Sequence, residues 1–383
     1  MKLETLGANL RRLRELRGLT QVRLAEEAGV SRASYRNIEL GRSQPRVGTL
    51  QAIASALDVR LGELFVEAPR LERVRFRSNK KLRLREHILA DVARRLADYA
   101  QLEELVGERL PFTAPSDLGP YRRGEHTPRS IAEAAREQFG LEADEVVRDL
   151  PGLLEQRGVK VLRADVASDD FFGLSVAAAE LGPAIVVNTW DRIAVERWIF
   201  TAAHELGHLL LHLGDYEREQ AEERADHERE ANEFASHFLM PAALFTREWD
   251  EARGMPFLHR VLKVKRIFRV SYRTVLYRLR EMDRVTDSVW VEFQMEHQRL
   301  RGTTLKKTDE PAGLRGGEFT QGFPVAFRSE EPENLLPSDF LPDRLHYLVR
   351  KGIENAAISL DRGAEILGLD LMAMRNLARS WHQ

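Results

Sequence analysis

The stretch TAAHELGHLLLH, residues 201–212, constrains this chain more than any other. Its apolar flank has to be buried, yet it carries two histidines and a glutamate. On an α-helix, positions i and i+4 share a face, so His204 and His208 present both imidazoles to one point while Glu205 projects beside them. Gly207, between them in the turn, allows a neighbouring element to come close. The chain contains no cysteine, so a disulfide framework and thiolate ligation are both excluded. Any metal must be held by His, Asp or Glu.

Zinc favours tetrahedral N/O ligation, and a catalytic site leaves one position for water, so two histidines require a third protein ligand. The downstream segment ADHEREANEFASHFLMP reads as a helix that aligns Glu228, Ala231, Asn232, Ala235 and Leu239 along one stripe. That stripe offers an acid, small residues for close helix contact and an amide. Glu228 is the expected third ligand, and Asn232 is expected to steady a ligand from behind, as metal sites commonly require. Glu230 is the competing acid, but it faces the side of Phe234 and Phe238. His212, His227 and His237 read as solvated or packed histidines, and Tyr272 is the candidate electrophile for an oxyanion.

The first 66 residues carry eleven Lys/Arg against seven Asp/Glu, and the basic run RLERVRFRSNKKLRLRE follows. Such a front end suits an approach to phosphate. Leu6, Leu10, Leu13 and Leu16 recur at helical spacing until Gly18; Thr20 caps a second helix that ends at Gly29, and Ser31 caps a third. Two helices joined by so short a turn are a helix-turn-helix. Leu24, Ala28, Val30 and Ile38 read as core.

This stretch resembles the lambda-repressor-like domains of the XRE family through Gln21, Leu24, Ala25, Ala28 to Ser31, Ile38, Glu39, Gly41, Pro45, Leu50, Ile53, Ala54, Ala56 and Leu57. The resemblance implies that the third helix enters the major groove of double-stranded operator DNA. Arg32, Ala33 and Arg36 then reach base edges, with Ser31 and Asn37 nearby and Gln21 at a backbone phosphate. It also implies a homodimer on paired half-sites. The run AHELGHLLLH followed by EREANEFASHFLMP is similar to the ImmA/IrrE family of zinc metallopeptidases, from about Ser130 through FRVSYRTVLYRLRE. That likeness implies zinc held by His204, His208 and Glu228, with Glu205 as general base.

At 383 residues, 43% apolar and 31% charged, the chain is an ordinary globular one of several domains. The expected class is α+β and mostly helical. A five-helix lambda-repressor-like DNA-binding domain spans 1–68, a basic linker and connecting helix 69–125, a zincin-like metallopeptidase domain with a small sheet 126–284, and a C-terminal α+β regulatory or partner-binding domain 285–383. Strands are expected at VKVLRADV, FFGLSVAAA and PAIVVNT, and strand-like alternation at SVWVEFQMEHQRL and GEFTQGFPVAF. AAISLDRGAEILGLDLMAMRNLARSW resembles a second helix-turn-helix but offers few contacts for phosphate, and reads as packing or partner binding. MKLETLGANLRRLREL lacks the apolar core of a signal peptide, so a cytoplasmic protein is expected. The functional expectation is a DNA-binding transcriptional regulator fused to a zinc endopeptidase that cuts a repressor, a partner or itself in a stress, prophage or toxin-antitoxin circuit. The alternative is a transcription factor whose zinc site senses or stabilises without cleaving.

Overall fold

A computed structural model describes residues 3–57, 59, 61–65, 71, 74–78, 85–112, 124–177, 181–213, 216, 224–306, 308–319 and 331–381. The chain divides into two units: Met1–Leu71 with Lys81–Ala97, and Glu72–Lys80 with Asp98–Gln383.

The first unit contains α1 (Leu3–Leu16), α2 (Gln21–Glu27), α3 (Arg32–Glu39) and α4 (Val47–Ala56), and its fifth helix is a single 3-10 turn at Leu61–Leu64. Local chemistry sets the breaks. Thr20 Oγ1 accepts the Arg23 N–H at 3.2 Å and Ser31 Oγ accepts the Ser34 N–H at 3.1 Å, satisfying helix-start donors that have no partner within the helix. Gly29 takes the left-handed conformation (φ 62°) that the tight turn between α2 and α3 requires. Leu6, Leu10, Leu24, Tyr35, Ile38, Ile53 and Leu57 form the core, while Val30 is only partly buried at its rim. Beneath it, Arg14 grips Glu39 through two 2.9 Å contacts, a buried bidentate pair joining α1 to α3.

In the second unit, a four-stranded sheet has the order β1-β3-β4-β2: β1 (Val74–Ser78), β2 (Lys160–Ala164), β3 (Phe171–Val176) and β4 (Ala184–Asn188). β1 and β4 run antiparallel to β3, and β2 runs parallel to β4. The three expected strands are therefore present. The fourth is a correction: Val74–Ser78 falls within the expected linker, yet it pairs along the free edge of β3. Its alternating arginines hid a strand whose partner lies about a hundred residues on.

The remaining helices are, in chain order, α5 (Arg85–Val106), whose residues to Ala97 belong to the first unit, and in the second unit α6 (Pro128–Gln138), α7 (Leu150–Gln156), α8 (Val195–Leu211), α9 (Ala225–Leu239), α10 (Ala242–Glu251), α11 (Phe257–Phe268) and α12 (Tyr272–Glu281). α8 packs on β3, β4 and α9. Almost every residue of α8 is buried, which sets the candidate site in the core. No described helix is long and apolar enough to cross a membrane.

The strand expected at SVWVEFQMEHQRL is instead helix α13 (Val289–Arg301). Its alternating apolar residues suggested a period of two, but Val289, Phe293 and His297 are the buried ones, four apart, while Val291 and Met295 lie exposed. Packing decided the period: Phe293 stacks on Tyr272 with ring centroids 4.7 Å apart. Gly316–Phe319 is one helical turn, α14, where an extended piece was expected, and the remainder of GEFTQGFPVAF lies outside the described residues. The chain closes on α15 (Arg344–Glu354), α16 (Leu360–Leu367) and α17 (Leu371–Ser380), so the described part of 285–383 contains helices and no strand.

Candidate functional site

α8 brings His204 and His208 to one face, both fully buried, with their Nε2 atoms 2.9 Å apart and their rings at 83°. The first turn of α9 delivers Glu228 opposite. Its Oε2 lies 3.3 Å from His204 Nε2 and its Oε1 3.2 Å from His208 Nε2. Zinc bonds of about 2.0–2.1 Å at tetrahedral angles place ligand atoms about 3.3 Å from one another. The carboxylate oxygens stand at that spacing from the imidazoles, while the two imidazole nitrogens, 2.9 Å apart, stand closer; a small opening of that pair fits the residues to such an ion.

The proton states fit as well. Burial drives the His208 imidazolium well below its ordinary pKa, leaving a neutral ring. For Glu228 burial opposes ionisation, but the neighbouring His204 and His208 outweigh it and lower the pKa. Neutral imidazoles facing an ionised carboxylate are the states in which these groups bind metal.

Helix α9 approaches α8 closely because position 207 is glycine: a Cβ there would stand 3.0 Å from Phe234 Cδ1 and 3.3 Å from Ala231 Cα. One turn along from Glu228, Asn232 Oδ1 accepts the His204 Nδ1–H at 2.9 Å. An amide oxygen can only accept, so it fixes the tautomer and turns the Nε2 lone pair of His204 toward Glu228.

Glu205 is buried beside the pair. Its Oε2 accepts Ser175 Oγ–H at 2.5 Å, and Ser175 in turn accepts the Tyr216 hydroxyl at 2.8 Å. Ser175 stands on β3, two residues after Gly173, where a Cβ would meet Thr201 Cγ2 at 2.7 Å and Val186 O at 2.8 Å. The small residue lets α8 lie against the sheet.

Sequence reasoning missed several neighbours. His212 Nδ1 lies 2.9 Å from His208 Nδ1, its Nε2 lies 2.9 Å from Glu230 Oε2, and burial lowers its pKa to about 4, so the ring is neutral. His227 stacks on His212 at 4.1 Å. Arg75, on β1, sets Nη2 3.3 Å from Glu228 Oε1 and Nη1 3.5 Å from His227 Nδ1. The i,i+4 spacing of His208 and His212 was a visible signal for one of these contacts; nothing local pointed to Arg75. The competing acid Glu230 thus faces His212. His237 meets Arg278 and Glu281, and Tyr272 belongs to the α12–α13 packing, its backbone N–H bonded to Glu310 at 2.9 Å.

On the first unit, Ser31, Arg32, Ala33, Arg36 and Asn37 are exposed along the start and outer face of α3. Arg32 and Arg36 are one turn apart. Gln21 is tied inward, its Nε2 donating to Glu39 Oε1 at 3.1 Å, which leaves one amide hydrogen for an outside acceptor.

Residues 154–280 match the peptidase M78 family model, described as the IrrE N-terminal-like domain, and residues 10–64 match a helix-turn-helix model. The chain joins a helix-turn-helix to an IrrE-like domain. The matched span of the IrrE-like domain includes His204, Glu205, His208, Glu228 and Asn232, and supports a metallopeptidase family; Arg75 lies outside both spans. The chain is also 35% identical over 77 residues to the immunity repressor protein of Bacillus phage phi105, covering 20% of this chain and 54% of that protein, so it spans about half the length of this relative. Among solved structures, Bacillus thuringiensis PlcR in complex with the peptide PapR7 and DNA aligns over 98% of both chains at 14% identity and a TM-score of 0.17. At that score nothing about the arrangement of this chain follows from it.

Proposed function

We propose that this protein is a cytoplasmic, homodimeric transcriptional regulator that binds operator DNA through α3 and hydrolyses a peptide bond in a regulatory protein at a zinc centre. The single observation that carries the peptidase half is the convergence of His204, His208 and Glu228, their facing atoms 2.9–3.3 Å apart, with Glu205 beside them. The exposed Arg32 and Arg36 on a capped α3 support the DNA half, as does the likeness to a protein named an immunity repressor.

In this reading His204, His208 and Glu228 hold the ion, and Asn232 keeps the His204 ring in register. Bound there, zinc would supply acidity to a water, with a pKa of about 7, and Lewis-acid polarisation of a peptide carbonyl. Glu205 takes the proton from the attacking water and returns it to the leaving amine. Ser175 donates to Glu205 Oε2 and orients that carboxylate. The substrate is a repressor, a partner or the chain's own linker near residues 67–125, any of which couples proteolysis to transcription.

A second reading is a regulator whose metal site senses or stabilises without cleavage. What favours it is the complete burial of Glu205 together with the hydroxyl already on its carboxylate. Glu205→Gln separates the two. With zinc retained, the variant should yield none of the fragments of chain or repressor that mass spectrometry finds with wild type, and target transcription should lose its response. Fragments and regulation unchanged in Glu205→Gln would sink the peptidase reading.

A further inference from the structure

His212, His227 and Glu230 offer donor atoms close enough to suggest a second metal site. The ring geometry argues otherwise. His212 and His227 stack 4.1 Å apart with planes 14° from parallel, whereas an ion lies about 2 Å from a ring nitrogen and near the plane of that ring. One ion cannot lie near two planes so separated. The arrangement serves another purpose, which proton bookkeeping identifies.

If His208 Nε2 turns its lone pair toward Glu228, the proton of the neutral ring is on Nδ1. That N–H donates across 2.9 Å to His212 Nδ1, which must then carry a lone pair. The proton of His212 therefore sits on Nε2 and donates across 2.9 Å to Glu230 Oε2. Every position along the line is determined, and it ends on the largely buried Glu230 carboxylate. A carboxylate behind a ligating imidazole fixes its orientation and raises its basicity; here a second imidazole is interposed. The stacked His227 holds the His212 ring from one side.

We infer that His212 and Glu230 are positioning residues for the metal centre: a two-link hydrogen-bond line that locks His208 in the metal-binding tautomer. This rests on the zinc reading above. His204 has its own shorter support in Asn232, so the two imidazoles are held independently, one by Asn232 and the other through His212 by Glu230, both anchors standing on α9.

The test is zinc affinity of the full chain, measured by competition with a chromophoric chelator. His212→Leu and Glu230→Ala should bind zinc 10- to 100-fold more weakly, roughly what lost outer partners remove. His212→Gln can accept through its oxygen and donate through its amide N–H, so it should recover most of that loss. In zinc-loaded wild type the His208 Nδ1–H should give a slowly exchanging imidazole proton resonance that disappears in His212→Leu. Wild-type affinity and an intact resonance in His212→Leu would overturn the inference, as would His212→Gln being as weak as His212→Leu. Should His212→Leu fail to fold, Glu230→Ala carries the comparison alone, and wild-type affinity there refutes the line. If the wild-type chain takes no zinc, the parent reading fails and this one falls with it.

Discussion

Replacing Gly207 with alanine tests whether the spacing between α8 and α9 sets the metal centre. The new Cβ would stand 3.0 Å from Phe234 Cδ1, 3.3 Å from Phe234 Cβ and 3.3 Å from Ala231 Cα, where carbon contacts normally lie at about 3.5–4.0 Å. Roughly 0.5 Å of relief is needed. Phe234 is fully buried and stacked on Phe238 with centroids 5.7 Å apart, so the ring has little room and the retreat falls on α9. Glu228 lies one turn before Ala231 on that helix. A 0.5 Å shift carries its oxygens from 3.2–3.3 Å to about 3.7–3.8 Å from the imidazole nitrogens, beyond the roughly 3.3 Å that tetrahedral zinc requires. Zinc affinity is expected to fall about tenfold, or about 1.4 kcal/mol. Stability of the zinc-free chain responds to two opposing effects: alanine favours a helix interior over glycine by about 1 kcal/mol, and overpacking costs about 1–3 kcal/mol. A net loss of roughly 1 kcal/mol follows. Chelator competition reads the first quantity and urea denaturation the second. If Gly207→Ala gains stability while its zinc affinity is unchanged, the glycine does not set the helix spacing and the reasoning is refuted.

Two further outcomes follow from the geometry. Arg36→Ala should weaken specific operator binding by about 1–3 kcal/mol if the guanidinium reads a base, and an unchanged gel-shift titration removes it from the recognition face. Glu155 is buried, which raises its pKa to about 7 against the opposing hydrogen bonds from the Asp343 and Arg344 N–H groups, each 3.1 Å long. An unfolded carboxyl ionises near pH 4.5, so between that pH and about 7 the folded chain holds the extra proton and this group lowers stability as pH rises. Glu155→Gln keeps an accepting oxygen and should flatten that part of the profile, raising stability at pH 8 by roughly 3 kcal/mol; an unaltered slope in denaturation midpoints between pH 5 and 8 refutes the assignment.

Features legible in the residues alone are those that short spacing controls. The caps at Thr20 and Ser31, the glycine turn at Gly29 and the i,i+4 pair His204 and His208 are local arrangements, set by helix geometry and backbone hydrogen bonding within a few residues. Glu228 and Asn232 were legible one step further, because a single stripe on α9 carried both the small residues for contact and the donors for the site. The rest belongs to tertiary structure. Arg75 reaches Glu228 because an edge strand from an apparent linker pairs with β3, and α13 is a helix because Phe293 packs against Tyr272. His212 and Glu230 meet only once Gly207 lets two helices approach. Contacts between residues so far apart in sequence leave no period to read; they exist only after the chain has closed the loops and buried the faces that bring them together.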